Sequence, residues 1–286
     1  MLPKCLRSGG RSRWAALALI AAALIAASSS TGQASARQPE PDERLVAADV
    51  STPEFTYPIA GMTGWDISWP QCANHERPEG PINFAVIGVN GGKMFTKNDC
   101  LAEMFRYAGQ GRTAPQVYLN VNGLPKDWTS ASTVCAKTDI PCQAYMYGYE
   151  GAAFSHQFAR SQGVDPMYWW LDVETGNAWS DQRFLNERAI GGAIDYLQST
   201  HHVVGIYSTP SQWSRIAGGF APGLMNWTAG AADLLEATTR CDPKYAFGGG
   251  RVVLVQYVSE HFDTSYSCPG TGVGRRALLP YLAAEG

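Results

Sequence analysis

Met167-Tyr168-Trp169-Trp170-Leu171-Asp172-Val173-Glu174 is a short apolar and aromatic run that closes on two carboxylates two positions apart. Its composition reads as a buried strand, and strand side chains alternate between the two faces of a sheet. Asp172 and Glu174 are therefore expected on one face, with Leu171 and Val173 on the other. A lone Asp-x-Glu is more often a solvated strand end than a working site. What gives this pair weight is the company it keeps along the chain.

Similar apolar runs recur at Gly64 to Ser68, Phe84 to Val89, Gln116 to Val121, Val203 to Ser208, Met225 to Ala229 and Val252 to Tyr257. Helical stretches are expected between them, near Asn98 to Gly109, Gln143 to Gly163, Asp181 to Ser199 and Ser211 to Ala217. The third has an acidic start and the spacing Phe184, Leu185, Ala189, Ala193, Ile194, Leu197, which gives one buried face. Continuous apolar strands separated by helices point to an α/β fold with a parallel sheet covered on both sides. A (β/α) barrel fits best, with a doubly wound open sheet as the alternative. From Asn226 onward strands follow one another with few helices, so the barrel is expected to be irregular at its end.

Barrel enzymes gather their chemistry at the C-terminal ends of the strands. Polar residues interrupt the apolar runs at that end: Asp66 and Ser68 on the first, Asn120 and Asn122 after Tyr118 on the third, Asp172 and Glu174 on the fourth, Tyr207 on the fifth and Gln256 on the last. Each taken singly could be a satisfied hydrogen bond inside a barrel. Their recurrence at one end is what accidental exposure does not explain.

The N-terminus bears on the compartment. Lys4, Arg7, Arg11 and Arg13 precede an apolar run from about Trp14 to Ala27, followed by an Ala34-Ser35-Ala36 cleavage pattern. That run is shorter than the ~20 residues a bilayer span needs. Residues 1–36 are accordingly expected to be an export signal, and residues 37–60, rich in Pro, Glu and Asp, a flexible spacer. The protein is then secreted or associated with the cell envelope, with no stable membrane span after cleavage. Cys5 falls in the signal, leaving an even six: Cys72, Cys100, Cys135, Cys142, Cys241 and Cys268. Such a set in an exported chain implies disulfides, and although six cysteines allow 15 pairings, pairing in chain order is the expectation. No close Cys/His spacing of a zinc site occurs, and no metal ligand is assigned. A net charge of −3 carries no basic footprint for nucleic acid.

The polar strand ends resemble those of a known family. Gly64-Trp65-Asp66-Ile67-Ser68-Trp69-Pro70-Gln71 resembles the Asp-x-Ser-x-x-Gln strand that opens glycoside hydrolase family 25, the lysozymes that cleave between N-acetylmuramic acid and N-acetylglucosamine in peptidoglycan. Leu171 to Glu174 resembles its Asp-x-Glu strand, Tyr207-Ser208 its Tyr-Ser strand, Trp227-x-Ala229 its Trp-x-Ala strand, and Gln256-Tyr257 with Phe262-Asp263 its closing residues. The resemblance runs in order from Gly64 to Asp263. It implies a TIM-barrel-like fold of five β/α units followed by three strands, occupying residues 61–286, a polysaccharide partner and no cofactor. It also implies Glu174 as general acid, Asp172 as stabiliser of developing positive charge, and Asp66 and Asp263 as supporting acids. Ser68, Gln71, Tyr118, Asn120, Tyr207, Trp227 and Gln256 are the implied substrate contacts. In the family the substrate's own acetamido group is thought to act as nucleophile, assisted by the second acid.

The chain departs from the family pattern at two strands. Phe84-Ala85-Val86-Ile87-Gly88-Val89-Asn90-Gly91-Gly92 stands where Phe-x-Ile-x-Lys-Ala-x-Glu-Gly is usual, and Tyr118-Leu119-Asn120 where Tyr-His-Phe is usual. Residues Lys126 to Cys142 read as an insertion. Other catalytic patterns fail: Met94 follows Lys93 where a phosphate loop needs Ser or Thr, Ser208 lacks the glycines of a nucleophile elbow, and no histidine lies in a zinc-protease pattern. His201 and His202 are read as a helix end, where partial charge suits the last carbonyls. Three functions follow from these residues: an exported glycosidase, a catalytically silent glycan-binding barrel, or an envelope protein that keeps only the scaffold.

Overall fold

The computed structural model describes residues 60–259 and 262–270. The expected export signal, Cys5, nearly all of the expected spacer and His261 lie outside those residues. The described chain closes into a barrel of eight strands in sequence order: β1 (Thr63–Ile67), β2 (Ala85–Gly88), β3 (Gln116–Asn120), β4 (Tyr168–Asp172), β5 (Val203–Ser208), β6 (Met225–Ala231), β7 (Val252–Val258) and β8 (Asp263–Ser267). Neighbours from β1 through β7 run parallel, while β8 is antiparallel to both β7 and β1. The expected parallel sheet and irregular barrel end are both present, and the irregularity includes one antiparallel strand, β8. Antiparallel entry of β8 needs no crossover helix, and the short link after β7 supplies none.

Period-two alternation divides two cores. Ala85, Ile87, Val117, Leu119, Trp169, Leu171, Val204 and Ile206 point outward, under the helices α1 (Leu101–Ala108), α2 (Ile140–Ser161), α3 (Arg183–Ser199) and α4 (Pro210–Ala217). Their neighbours Phe84, Val86, Tyr118, Tyr168, Trp170, Tyr207, Trp227 and Leu254 fill the interior. That interior is aromatic, and glycines make room for it. A Cβ at Gly205 would lie 2.3 Å from the Trp170 ring, and one at Gly64 would lie 2.4 Å from the Phe84 carbonyl. Trp170 and Trp227 meet edge to face at 5.8 Å, and Tyr207 packs on Trp227 at 4.7 Å. This plug closes the barrel below its C-terminal rim.

Helices α2 and α3 lie close together because Gly148 and Gly192 carry no side chain at their crossing: added Cβ atoms would stand 1.7 Å and 2.0 Å from backbone oxygens of the facing helix. Asp139 caps α2 by accepting from the Cys142 amide at 3.1 Å. The first turn of α3 holds no acid, so the expected acidic start is corrected: Asp181 falls before the helix, and Gln182 occupies the N-cap. A six-residue helix, α5 (Leu234–Thr239), follows β6 and is too short to show a period in sequence. All six cysteines pair in chain order: Cys72–Cys100, Cys135–Cys142 and Cys241–Cys268, each with Cα atoms 5.6 Å apart. Among the described residues, no helix is long and apolar enough to cross a membrane.

Candidate active site

An open cavity of about 430 Å³ sits at the C-terminal rim, above the aromatic plug. Its lining includes Asp66, Ser68, Gln71, Tyr118, Asn120, Asp172, Glu174, Tyr207, Trp227, Gln256 and Asp263, so every catalytic or binding residue expected from sequence reaches one space. The reason is stereochemical. Asp66 alternates with outward Trp65 and Ile67, and Asp172 with outward Leu171 and Val173. Strand β4 ends at Asp172, so Glu174 stands just beyond it. Its backbone carbonyl accepts from the Trp179 indole at 2.8 Å and from the Asn177 amide at 3.1 Å, which fixes the turn that carries it.

Hydrogen bonds tie the strand ends across the mouth. Tyr207 Oη donates to Gln256 Oε1 at 2.7 Å, and Gln256 Nε2 donates to both carboxylate oxygens of Asp66 at 3.1 and 3.3 Å. Asn120 Nδ2 donates to Asp172 Oδ2, while Asp172 Oδ1 is buried without a hydrogen-bond partner. A buried carboxylate oxygen left in that state has its capacity to accept still open. Gln71 turns its side chain inward on its own turn, accepting from the Ser68 amide at 2.9 Å, and so positions the loop after β1. Trp227 is buried, donates its indole N–H to Ser265 Oγ at 2.9 Å, and forms part of the cavity floor.

Four acids share this space, and each is pushed toward its neutral form. Burial raises Asp66 well above the ordinary carboxylate range, with the charge of Asp263 adding to it and the Gln256 hydrogen bond opposing. Burial likewise raises Asp172 well above it, with Glu174 and then Asp66 adding and Asn120 opposing. Glu174 is raised by burial and by Asp263, and Asp263 by partial desolvation at the mouth. Among the described lining residues there is no Lys, Arg or His to offset them. Such a cavity retains protons at a pH where isolated carboxyls have lost theirs.

The altered second and third strands have a structural account. A Cβ at Gly88 would lie 2.4 Å from Ser68 Cβ and 2.9 Å from the Tyr118 ring, so those side chains occupy the place of the family's lysine. Asn90 is buried and braces β2 to β3, donating to the Asn120 carbonyl at 3.0 Å and to the Lys93 carbonyl at 2.9 Å. Asn122 is not at the cavity. Its side chain accepts from the Met94 amide and donates to Tyr147 Oη, which is the satisfied hydrogen-bonding role open to it from sequence. Trp69 lines the rim and is 48% exposed; sequence reasoning passed over it, although it lies inside the quoted first motif. Ser259 and Phe262 also line the cavity, and no sequence pattern marked Ser259.

The histidine expectation is corrected. Helix α3 ends at Ser199, His201 adopts a positive φ of 66°, and burial with the neighbouring His156 holds His202 down to about 4. A neutral ring cannot serve the helix end by charge.

No family model matches the chain. A probable GH family 25 lysozyme of Dictyostelium discoideum is 39% identical over 111 residues, 37% of this chain and 45% of that protein; the chain therefore spans less than half the length of this curated relative. Among solved structures, a family GH25 lysozyme from Aspergillus fumigatus is 16% identical with a TM-score of 0.47, covering 78% of this chain and 99% of that one. A bacterial lysozyme from Streptomyces coelicolor gives 16% and 0.47 over 79% and 99%. The modular autolysin LytC of Streptococcus pneumoniae, solved with a synthetic peptidoglycan ligand, gives 15% and 0.47 over 71% and 46%. In its sequence match and in the ordered motifs from Gly64 to Asp263, the chain is similar to lysozymes of glycoside hydrolase family 25.

Proposed function

We propose that the protein is an exported glycoside hydrolase of lysozyme type, acting on the glycan of peptidoglycan at the four-acid cavity. The observation that carries this reading is the convergence of Asp66, Asp172, Glu174 and Asp263 on one open space with no basic residue among its described lining. Cleaving a glycosidic bond passes through an oxocarbenium-like state, which calls for a protonated carboxyl at the leaving oxygen and negative charge beside the sugar. Glu174, half-buried at the mouth and raised by burial and Asp263, is suited to deliver the proton. Asp172, held by Asn120 and with Oδ1 free, is suited to face the sugar.

Burial beside Glu174 and Asp66 favours neutral Asp172 in the free protein, whereas its task needs the anion. A sugar acquiring positive charge supplies the counter-charge that the free cavity lacks, so the anion is favoured as the bond breaks. Tyr207, Gln256 and Asp66 form the hydrogen-bonded chain that positions the opposite side of the mouth. Export is supported by the leading basic-then-apolar segment and by six described cysteines that are all paired.

Purified protein incubated with peptidoglycan is expected to release reducing ends, and Glu174→Gln to abolish that release; equal activity in the variant rejects this assignment of the acid. The second reading, a glycan-binding barrel without turnover, is favoured by Gly88, where the family's lysine is replaced by packing of Ser68 and Tyr118. It predicts sedimentation of the protein with cell-wall glycan and no new reducing ends.

A further inference from the structure

At the opposite end of the barrel, three potential ligands from separate segments meet. His156 lies on α2, Asp165 on the link from α2 to β4, and His202 on the link from α3 to β5. His156 Nε2 is 3.1 Å from His202 Nε2 and 3.2 Å from Asp165 Oδ1, and His202 Nε2 is 3.5 Å from the same oxygen. A tetrahedral zinc ion with bonds of about 2.0–2.1 Å keeps its ligand atoms roughly 3.3–3.4 Å apart. The three separations bracket that edge. We propose that His156, His202 and Asp165 form a structural site for a divalent transition metal, zinc by its ligand chemistry, which fastens α2 to the starts of β4 and β5.

Protons alone leave the triangle poorly satisfied. The His202 ring also hydrogen-bonds the Pro166 carbonyl, while its Nε2 faces His156 and Asp165. That nitrogen, His156 Nε2 and Asp165 Oδ1 are three ligand-type atoms facing one point. A single N–H between the rings satisfies one contact, whereas a cation satisfies three. The surroundings are those of a held ligand set: Tyr196 Oη stands 3.0 Å from His156 Nδ1, and Arg160 Nε stands 3.5 Å from Asp165 Oδ2, leaving Oδ1 for the ion. The Trp169 ring packs against both imidazoles at 5.7 and 5.5 Å, giving the site a rigid apolar wall. Asp165 is half-exposed, which provides the entry path and room for a water as fourth ligand. Two imidazoles and one carboxylate suit zinc rather than calcium or magnesium, which prefer oxygen alone.

The test uses the full chain without an affinity tag, stripped with a chelator and titrated with zinc chloride by calorimetry, with Tm followed in parallel. One equivalent bound per chain and a zinc-dependent rise in Tm are expected. Asp165→Asn, at a half-exposed position, is expected to weaken binding by about tenfold or more, as is His202→Gln, while His75→Gln at the distant surface pair with Glu103 leaves it unchanged. Should His202→Gln fail to fold, Asp165→Asn decides alone. Cobalt in place of zinc is expected to give the strong visible absorption of a tetrahedral ion. Absence of saturable binding in the wild-type chain, or binding that survives undiminished in Asp165→Asn, overturns the site.

Discussion

The two ends of this barrel use similar residue types in opposite ways. At the C-terminal rim, four acids stand together among amides, phenols and serine hydroxyls, with no basic side chain in the described lining, and one buried oxygen of Asp172 has no hydrogen-bond partner. At the N-terminal end, Asp165 stands against Arg160, His156 and His202, and the Tyr196 hydroxyl meets His156 Nδ1. One end gathers acids with no basic side chain in its described lining, and the other sets a single acid among basic groups. The difference teaches what each end can accept: the rim suits a ligand that brings its own positive character, and the far end an ion that takes imidazole and carboxylate together.

The largest expected effect tests the acid-lined rim directly. Glu174→Gln keeps the shape and removes the transferable proton, and should lower glycan cleavage by roughly 10²–10⁴-fold with Tm unchanged or raised. An unaltered rate, measured as reducing ends released, breaks the assignment of that end as catalytic.

Gly88→Ala tests how tightly the mouth is built. Its Cβ must displace Ser68 and Tyr118, at an expected cost of about 1–3 kcal/mol in denaturant unfolding. A neutral outcome would mean that the two side chains are free to move, and that room for a larger residue remains.

The acids themselves predict a pH dependence. Asp66 and Asp172 have folded pKa values raised above their unfolded ones, so the folded state binds more protons than the unfolded state between those values. Stability is then highest on the acid side, and falls as pH rises from about 4 through the raised folded values. Asp66→Asn should stabilise the protein at neutral pH by roughly 1 kcal/mol or more and flatten that slope. A Tm that rises steadily from pH 5 to pH 7 in the wild type, on the order of the window set by these groups, contradicts the crowding of the mouth. At the opposite end, Arg160→Ala removes an ion pair with both partners substantially exposed, and should change stability by less than about 0.5 kcal/mol.

Much of this fold was legible before any coordinates. The seven apolar runs locate seven strands to within one or two residues, because an apolar segment flanked by turns leaves few other options. Strand β8 escaped that reading: Asp263-Thr264-Ser265-Tyr266-Ser267 has no apolar run. Its hydroxyls are absorbed by partners far away, Ser265 by the Trp227 indole and Ser267 by the Met62 backbone. Polarity that is satisfied by distant groups looks, in sequence, like a loop. The site residues were legible for the same local reason as the strands, and Trp69 was missed because its exposure depends on the tight turn after β1 rather than on alternation.

Sequence alone determined that Asp172 and Glu174 share a face and that each strand offers its polar residues at one end, since backbone stereochemistry sets a period of two wherever a strand forms. Only the tertiary structure decided that the sheet closes, that β8 enters antiparallel, that Asp66 and Asp263 meet the central pair, and that His156, Asp165 and His202 converge at the far end. Periodicity is a property of neighbouring peptide units. Closure and convergence depend on which distant faces pack together, in this chain on glycines that admit a Trp170 plug and bring α2 against α3, and no local pattern encodes that.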